Sequence, residues 1–418
     1  MVPWWYLGGA AAARAGDEMS GPALLLFGLA ATGRPAAGSE LLASVTIAAA
    51  AGGPLFGALL DRSRRPARMQ AATLAVYVLG LAAIQAALGQ VPMPLVVLVA
   101  LACGLFNPAV AGGWSSQLPR LVPAADLSRG SALDAMTYSV ASLAGPALAA
   151  LIAAGVGARW AVLAAAALVA LAVPAALTLP GPDPSDGRPS SPSPHRQVAV
   201  HRQMAAGFAE ILARRPLLRA TATSVVSYVG IGMLLVCCPL LGAQRLGAPA
   251  RGALLISAMA AVSLAANAIL ARRPWRAAPD TAVLVSTLVI GAGLAAAAVA
   301  PGWLALLAVA VSGAGEGPQV TALFAVRHRE APEHMRAQIF TTAASVKIGG
   351  LAAGAALAGP LAGRSVVTCL LIGAGTQACA AATYLLTGPG RAVEPLPPPL
   401  SAGSASRDTG RGATARSE

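Results

Sequence analysis

Apolar residues along this chain gather into twelve long runs, each close to the roughly 20 residues a helix needs to cross a hydrocarbon layer. The runs lie near 5–31, 38–60, 69–89, 93–114, 132–155, 160–179, 217–241, 252–271, 281–300, 302–325, 338–361 and 365–387. Short polar connections separate them, so the pattern predicts an all-α integral membrane protein with twelve transmembrane helices and no inserted soluble domain. The longest connection, about Pro180 to Pro216, divides the runs six and six. The expected organisation is a six-helix bundle over 1–179, a linker over 180–216, a second six-helix bundle over 217–387 and a tail over 388–418. By composition, 181–194 and 388–418 read as disordered. Between them, Val200, Met204, Phe208, Ile211 and Leu212 recur at helical spacing, which predicts an amphipathic helix lying on the membrane surface.

Composition agrees with the pattern. Of 418 residues, 56% are hydrophobic and 11% charged, and the mean hydropathy is +0.69, which does not describe a soluble domain. The net charge of +13 lies in the connections, not on a groove-reading element, so a nucleic-acid partner is excluded. One set of alternate connections holds eighteen arginines, Arg327 among them; the other holds five, namely Arg34, Arg159, Arg245, Arg251 and Arg364. Because cytoplasmic loops collect arginine, both termini are expected in the cytoplasm. Met1 to Tyr6 has no basic leader pattern, so the first run is expected to remain as a span, with Trp4, Trp5 and Tyr6 as an interfacial belt. The five cysteines all lie in apolar runs as packing residues, without metal-ligand spacing. The four histidines, His195, His201, His328 and His334, fall in connections and are expected to be solvated.

The most informative connection is Gly57-Ala-Leu-Leu-Asp-Arg-Ser-Arg-Arg-Pro66, with Arg68 just beyond. Asp61 sits past the C-terminal end of a helix, where the macrodipole disfavours an anion, so it should seek an arginine or the N-terminus of a neighbouring helix. Gly57 lets two helices approach closely. A weak internal repeat relates the halves: Arg272-Arg273-Pro274 corresponds to Arg64-Arg65-Pro66, but Ile269 occupies the place of Asp61. Gly145 and Gly354 each follow a proline, Pro123 and Pro332, by 22 residues.

Two six-span halves, a long middle connection and Gly57-x-Leu59-x-Asp61-Arg62-x-Arg64-Arg65 resemble the major facilitator superfamily over nearly the whole chain. Ser63 departs from the glycine usual there. The resemblance implies a transporter whose halves rock about a central site, with Gly57, Asp61, Arg62, Arg64 and Arg65 as a conformational latch closed in the outward-facing state; the plainer alternative is a turn that only sets topology. It also implies that spans one, four, seven and ten line a cavity, whereas three, six, nine and twelve face lipid. Gly145-Pro146 in span five, among small residues, is similar to the motif of the superfamily's exporters, although in an alanine-rich chain it is also a generic helix contact.

Charges inside the runs are costly without a partner or a watery cavity. Arg14 precedes Asp17 and Glu18 by one helical turn, leaving one acid unpaired. A desolvated, unpaired acid holds a proton more readily, which suits proton coupling; a structural ion cluster is the alternative. Adjacent residues point about 100° apart, so at most one is expected to face the cavity, with Asp17 favoured. Glu316, in Ser312-Gly-Ala-Gly-Glu316-Gly-Pro-Gln319, is a proton or cation site on a helix that glycine and proline should loosen; it also has an ion-pair candidate in Lys347, the sole lysine. Asn107, Tyr228 and Gln319 are candidate cavity residues. Asp134 is expected to pair with Arg129 or the Asp61 connection.

These observations favour a monomeric secondary transporter in a bacterial plasma membrane, exporting small molecules against proton entry, with a proton gradient in place of any cofactor or metal. Proton-coupled uptake on the same fold is the alternative. A membrane enzyme would need a nucleophile–base or metal cluster, and a primary pump a GxxxxGK[ST] loop; neither pattern is present. Acids would favour cationic or neutral cargo, whereas Arg14 and Lys347 could serve anions.

Overall fold

The computed structural model describes residues 2–181, 200–273 and 278–387. The disordered stretches expected within 181–194 and over 388–418 lie almost wholly outside these residues, as do Pro274 and Arg276. The helices are α1 Trp4–Thr32, α2 Pro35–Arg62, α3 Pro66–Ala87, α4 Met93–Gly104, α5 Trp114–Gln117, α6 Leu127–Gly155, α7 Ala158–Leu177, α8 Val200–Ala213, α9 Arg215–Leu246, α10 Gly252–Arg272, α11 Pro279–Val299, α12 Leu304–Glu330, α13 Arg336–Arg364 and α14 Val366–Leu386. Every apolar run is helical over most of its length. Among the described residues, ten helical segments are long and apolar enough to cross a membrane. The two that fall short, α1 and α12, are those that carry Arg14, Asp17 and Glu18, and Glu316.

Local chemistry explains the boundaries. At the end of α1, Gly33 adopts φ 68°, and its N–H bonds to Leu29 O at 2.8 Å; Pro35 then starts α2 at a position where a missing N–H costs nothing. The fourth run is not one regular helix. After α4 the chain turns at Leu105–Phe106, and residues Ala109–Gly113 form a π-helical segment that leads into α5. Pro108 supplies no N–H at this point, and the ladder shifts register around it. Helix α12, by contrast, runs unbroken through Pro318. Its glycines were expected to loosen it. Instead they seat it against neighbours: a Cβ on Gly313 would meet the Met259 carbonyl, and one on Gly317 the Ser263 carbonyl.

Apolar side chains gather into separate cores. One joins α1, α3 and α7 through Tyr6, Leu24, Leu74, Tyr77, Leu81 and Val169. A second joins α9, α11 and α14 through Leu234, Leu241, Ile290, Leu294 and Leu370. The halves meet mainly along α2 with α13 and α6 with α10. Along the first seam, Ser345 Oγ donates to Ala49 O at 2.7 Å, Thr341 Oγ1 donates to Gly53 O at 2.6 Å, and the Gly53 N–H bonds to Ser345 Oγ at 3.0 Å. These contacts lie on the half of α2 that leads to Asp61, so the molecule is closed at that end. Helix α8 packs beneath the same seam: Gln338 Nε2 donates to Gln203 O at 2.7 Å and Met204 O at 3.2 Å. Its packed face is Gln203, Gly207 and Ile211, while Phe208 and Leu212 remain exposed. The expected apolar face is thus split, because the protein offers a polar groove that the hydrophobic pattern did not reveal. The side chain of Val200 is outside the described residues.

Candidate functional site

Between the cores lies a cavity of about 360 Å³, a size suited to a small organic molecule. Its walls come from α1, the π-helical segment, α6, α9, α10, α12 and α13; no residue of α3, α7, α11 or α14 lines it. It holds three carboxylates, Asp17, Glu18 and Glu316, with Asn107, Tyr138, Tyr228, Lys347 and Arg327.

Asp17 accepts a hydrogen bond from Tyr77 Oη at 2.9 Å and another from Asn107 Nδ2. The break in the fourth run makes the second contact possible, since Asn107 lies immediately before Pro108. Glu18 also lines the cavity, so both neighbours reach it, against the expectation of one. Glu316 accepts from Tyr228 Oη at 3.2 Å. Lys347 Nζ stands 4.5 Å from the Tyr228 ring centre and 5.6 Å from that of Tyr138. Among the described residues no ion pair within 4.0 Å joins Lys347 to Glu316 or Glu18. Tyr228 therefore stands between acid and lysine, touching both, and the direct pair expected for Glu316 is absent in this closed arrangement.

Arg14 does not pair with Asp17 or Glu18. It is 2% exposed and bonds Asp134 Oδ1 at 2.9 Å, with Asp134 itself 0% exposed. Arg14 also donates to Asp134 O at 2.9 Å, to Ser115 Oγ at 3.0 Å and to Thr137 Oγ1, and its guanidinium lies 3.8 Å over the Tyr138 ring. Ser115 Oγ and Tyr6 Oη both donate to Asp134, at 2.6 and 3.0 Å. Asp134 thus meets neither Arg129 nor the Asp61 connection, and Tyr6 is buried in this network while Trp4 stays exposed. Helix α1 faces α6 closely enough for a long-range pair to displace the one-turn pair. Such a network ties two helices together and leaves the cavity acids without Arg14.

Other candidates sort by position. Gln319 is buried in the second half, donating to Ser227 Oγ at 3.1 Å and Thr287 Oγ1 at 2.8 Å, and does not reach the cavity. The residue one turn either side of Glu316 on its own face is Val320, not Gln319. Gly145 packs on α1, where a Cβ would meet Glu18 Cβ and the Met19 N–H, and Pro146 lines the cavity. Asp61 accepts the Ala337 N–H at 3.1 Å and the Gln338 N–H at 2.8 Å, at the N-terminus of α13. A Cβ on Gly57 would overlap Gln338 Cα. Arg64 and Arg65 are exposed and Arg62 half-buried; Ile269, at the matching place in the second half, is 60% exposed.

Two residues assigned to a solvated connection are buried. Arg327 lines the cavity, and His328 stacks on Phe340 with ring centres 4.6 Å apart. The signal was in the spacing: 11 residues are close to three helical turns, so Arg327 shares a face with Glu316, Val320 and Phe324. Tyr77 and Tyr138 carried no comparable signal, being single aromatics in apolar runs. Four cysteines are buried and Cys379 is exposed; none is bonded.

Residues 6–355 match the family described as the Major Facilitator Superfamily. The chain belongs to this superfamily. It is therefore a multi-pass membrane transporter and not an enzyme. Over 382 residues it is 26% identical to the uncharacterized MFS-type transporter y4rN of Sinorhizobium fredii, covering 88% of this chain and 90% of that one. Its fold is similar to that of the human organic anion transporter MFSD10, with TM-score 0.70 at 15% identity, covering 91% of this chain and 97% of that one. It is similar also to the proton:xylose symporter XylE, with TM-score 0.71 at 16% identity over 92% and 94%. A bacterial homologue of the iron transporter ferroportin in an outward-facing state gives TM-score 0.71 at 12% identity over 92% and 98%. At such identities these likenesses speak for the fold alone, and superfamily members of this fold bind small molecules within the membrane.

Proposed function

We propose that this superfamily member exports small molecules from a bacterial cell in exchange for protons, rocking two six-helix halves of a twelve-span monomer about the cavity. The observation that carries the reading is the cavity's acid set. Three buried carboxylates face one another across α1 and α12, and no base holds any of them within ion-pair distance. An acid so placed exchanges its proton with whichever side the cavity faces, which is the property a coupling site needs. Arginine distribution puts both termini and the Asp61 connection in the cytoplasm. The closed end is then the cytoplasmic one, and the state is outward-facing. Asp61 holds that end shut through α13, as an anion at a helix N-terminus. Export over uptake rests on Gly145-Pro146, which brings α6 onto Glu18 and so couples the α1 acid to a helix of the seam.

Lys347 and Glu316 supply the alternation. In the closed arrangement Tyr228 separates them; rocking exchanges that hydrogen bond for a direct pair, so protonation of Glu316 and the choice of state are linked. The test is transport in proteoliposomes under imposed pH gradients of either sign, with cargo found by a resistance screen in a host lacking its own exporters. Cargo moving opposite to the proton supports the reading; cargo moving with the proton makes the protein a symporter.

A further inference from the structure

Among the described residues three arginines are at least nine-tenths buried: Arg14, Arg219 and Arg327. The first two are answered by carboxylates, Asp134 at 2.9 Å and Asp280 at 4.0 Å. Arg327 is 3% exposed, lines the cavity, and has neither Nε nor Nη2 in a hydrogen bond. The titratable groups that act on it electrostatically are Tyr138, Tyr228, Lys347 and His328, and no carboxylate stands among them. Glu316, on the same helix face, is roughly 16 Å away along the axis. A buried guanidinium is stable in such a place only when an anion completes it.

The surroundings indicate what kind of anion. Phe324 lies one turn before Arg327, with its ring centre 5.8 Å from that of Tyr138 and 5.7 Å from that of Phe340. These rings and the guanidinium make one apolar wall with one planar, two-pronged donor, a geometry that matches a carboxylate, sulfonate or phosphonate on a ring-bearing body. The acids sit at the other tier of the cavity, beside α1, where they do not repel the anion at close range.

We propose that Arg327 is the anion-recognition residue of the cargo site, and that the cargo is an organic anion with an aromatic or comparably broad apolar body, its charged group at Arg327 and its body against Phe324, Tyr138 and Phe340. The proposal rests on the reading of this cavity as the transport site, and it assigns that site a cargo class. Lys347 is the second cation within the same electrostatic set and supports the same polarity.

The test is equilibrium binding, without any pH gradient, to the full chain in phosphatidylcholine nanodiscs. The probes are 1-naphthoate, its neutral amide 1-naphthamide, and 1-naphthylmethylammonium. The native protein is expected to prefer naphthoate to naphthamide. Arg327→Gln is expected to weaken naphthoate binding by about tenfold to a hundredfold, the range for losing hydrogen bonds to a charged group, with naphthamide changed less than twofold and Arg327→Lys in between. Ligand-free melting of each variant reports folding; if Arg327→Gln fails to fold, Arg327→Lys and the naphthoate-to-naphthamide ratio of the native protein decide. No preference for naphthoate in the native protein, equal affinity in a folded Arg327→Gln, or competition by added phosphatidylglycerol, which would give the site to a lipid headgroup, each overturns the proposal. Anion binding through Arg327 without movement against a proton gradient would sink the exporter reading alone; proton-driven export unchanged in Arg327→Gln would sink this one alone.

Discussion

Replacing Asp61 by Asn tests whether one carboxylate holds the halves together. In the closed arrangement its two oxygens accept the Ala337 and Gln338 N–H groups at 3.1 and 2.8 Å. Asparagine keeps a single acceptor oxygen and turns an amino group toward the other N–H. A hydrogen bond to a charged group contributes about 1.5–3 kcal/mol, and an anion at a helix N-terminus a further ~0.3–1 kcal/mol. Against this stands the carboxylate's own desolvation, so a net loss of about 2 kcal/mol is reasonable, equivalent to roughly a 30-fold shift in the ratio of closed to open populations. Spin labels on the exposed positions 64 and 272, one in each half, with Cys379 replaced by Ser, would read the distance distribution across this end. Asp61→Asn should enrich the longer distances and slow transport, and Asp61→Glu should fall between. The exposed Ile269 provides the control, because Ile269→Asp should change neither. If Asp61→Asn and Asp61→Ala leave both the distances and the transport rate as they were in protein that reaches the membrane, the connection sets topology and nothing more.

Three further outcomes follow from the same geometry. Gly57→Ala places a Cβ on Gln338 Cα, so the same label pair should report a more open end without any change of charge. Arg14→Gln or Asp134→Asn alone should lower stability by about 3–5 kcal/mol, while Arg14→Met with Asp134→Leu recovers part of it, as measured by melting in detergent. Glu316→Gln should abolish proton-driven accumulation yet retain exchange of cargo for cargo; full proton-driven transport in that variant would remove Glu316 from the coupling scheme.

The fold was legible because a membrane span writes itself into the sequence as length and apolarity, and the superfamily connection at Gly57–Pro66 adds two chemical demands that few alternatives meet. Asp61 was assigned a helix N-terminus from the macrodipole alone, and the structure supplies one. Partners within a turn were less informative. Arg14 could reach Asp17 and Glu18 along its own helix, yet it bonds Asp134, 120 residues away, because helix packing decides which neighbour is desolvated with it. Arg327 and His328 were placed in a loop by their charge, although α12 extends to Glu330 and buries them. Gln319 and Asp17 show the same limit from the other side: helical phase separates Gln319 from the cavity, while a register shift in another helix delivers Asn107 to Asp17.

That register shift has a consequence for how the protein tolerates change. A π-helical segment holds one residue more than the α-helix it replaces, and Ala109–Gly113 sets the rotational phase of everything that follows. Removing one residue there, such as Ala111, would let the chain relax to an ordinary helix and turn Trp114–Gln117 by roughly 100°. Ser115 would swing away from Arg14 and Asp134, and the Trp114 carbonyl from Tyr6. A substitution at Ala111 alters one side chain; its deletion re-indexes a whole network. Evolution of this transporter by point change is therefore free at positions where change of chain length is closed.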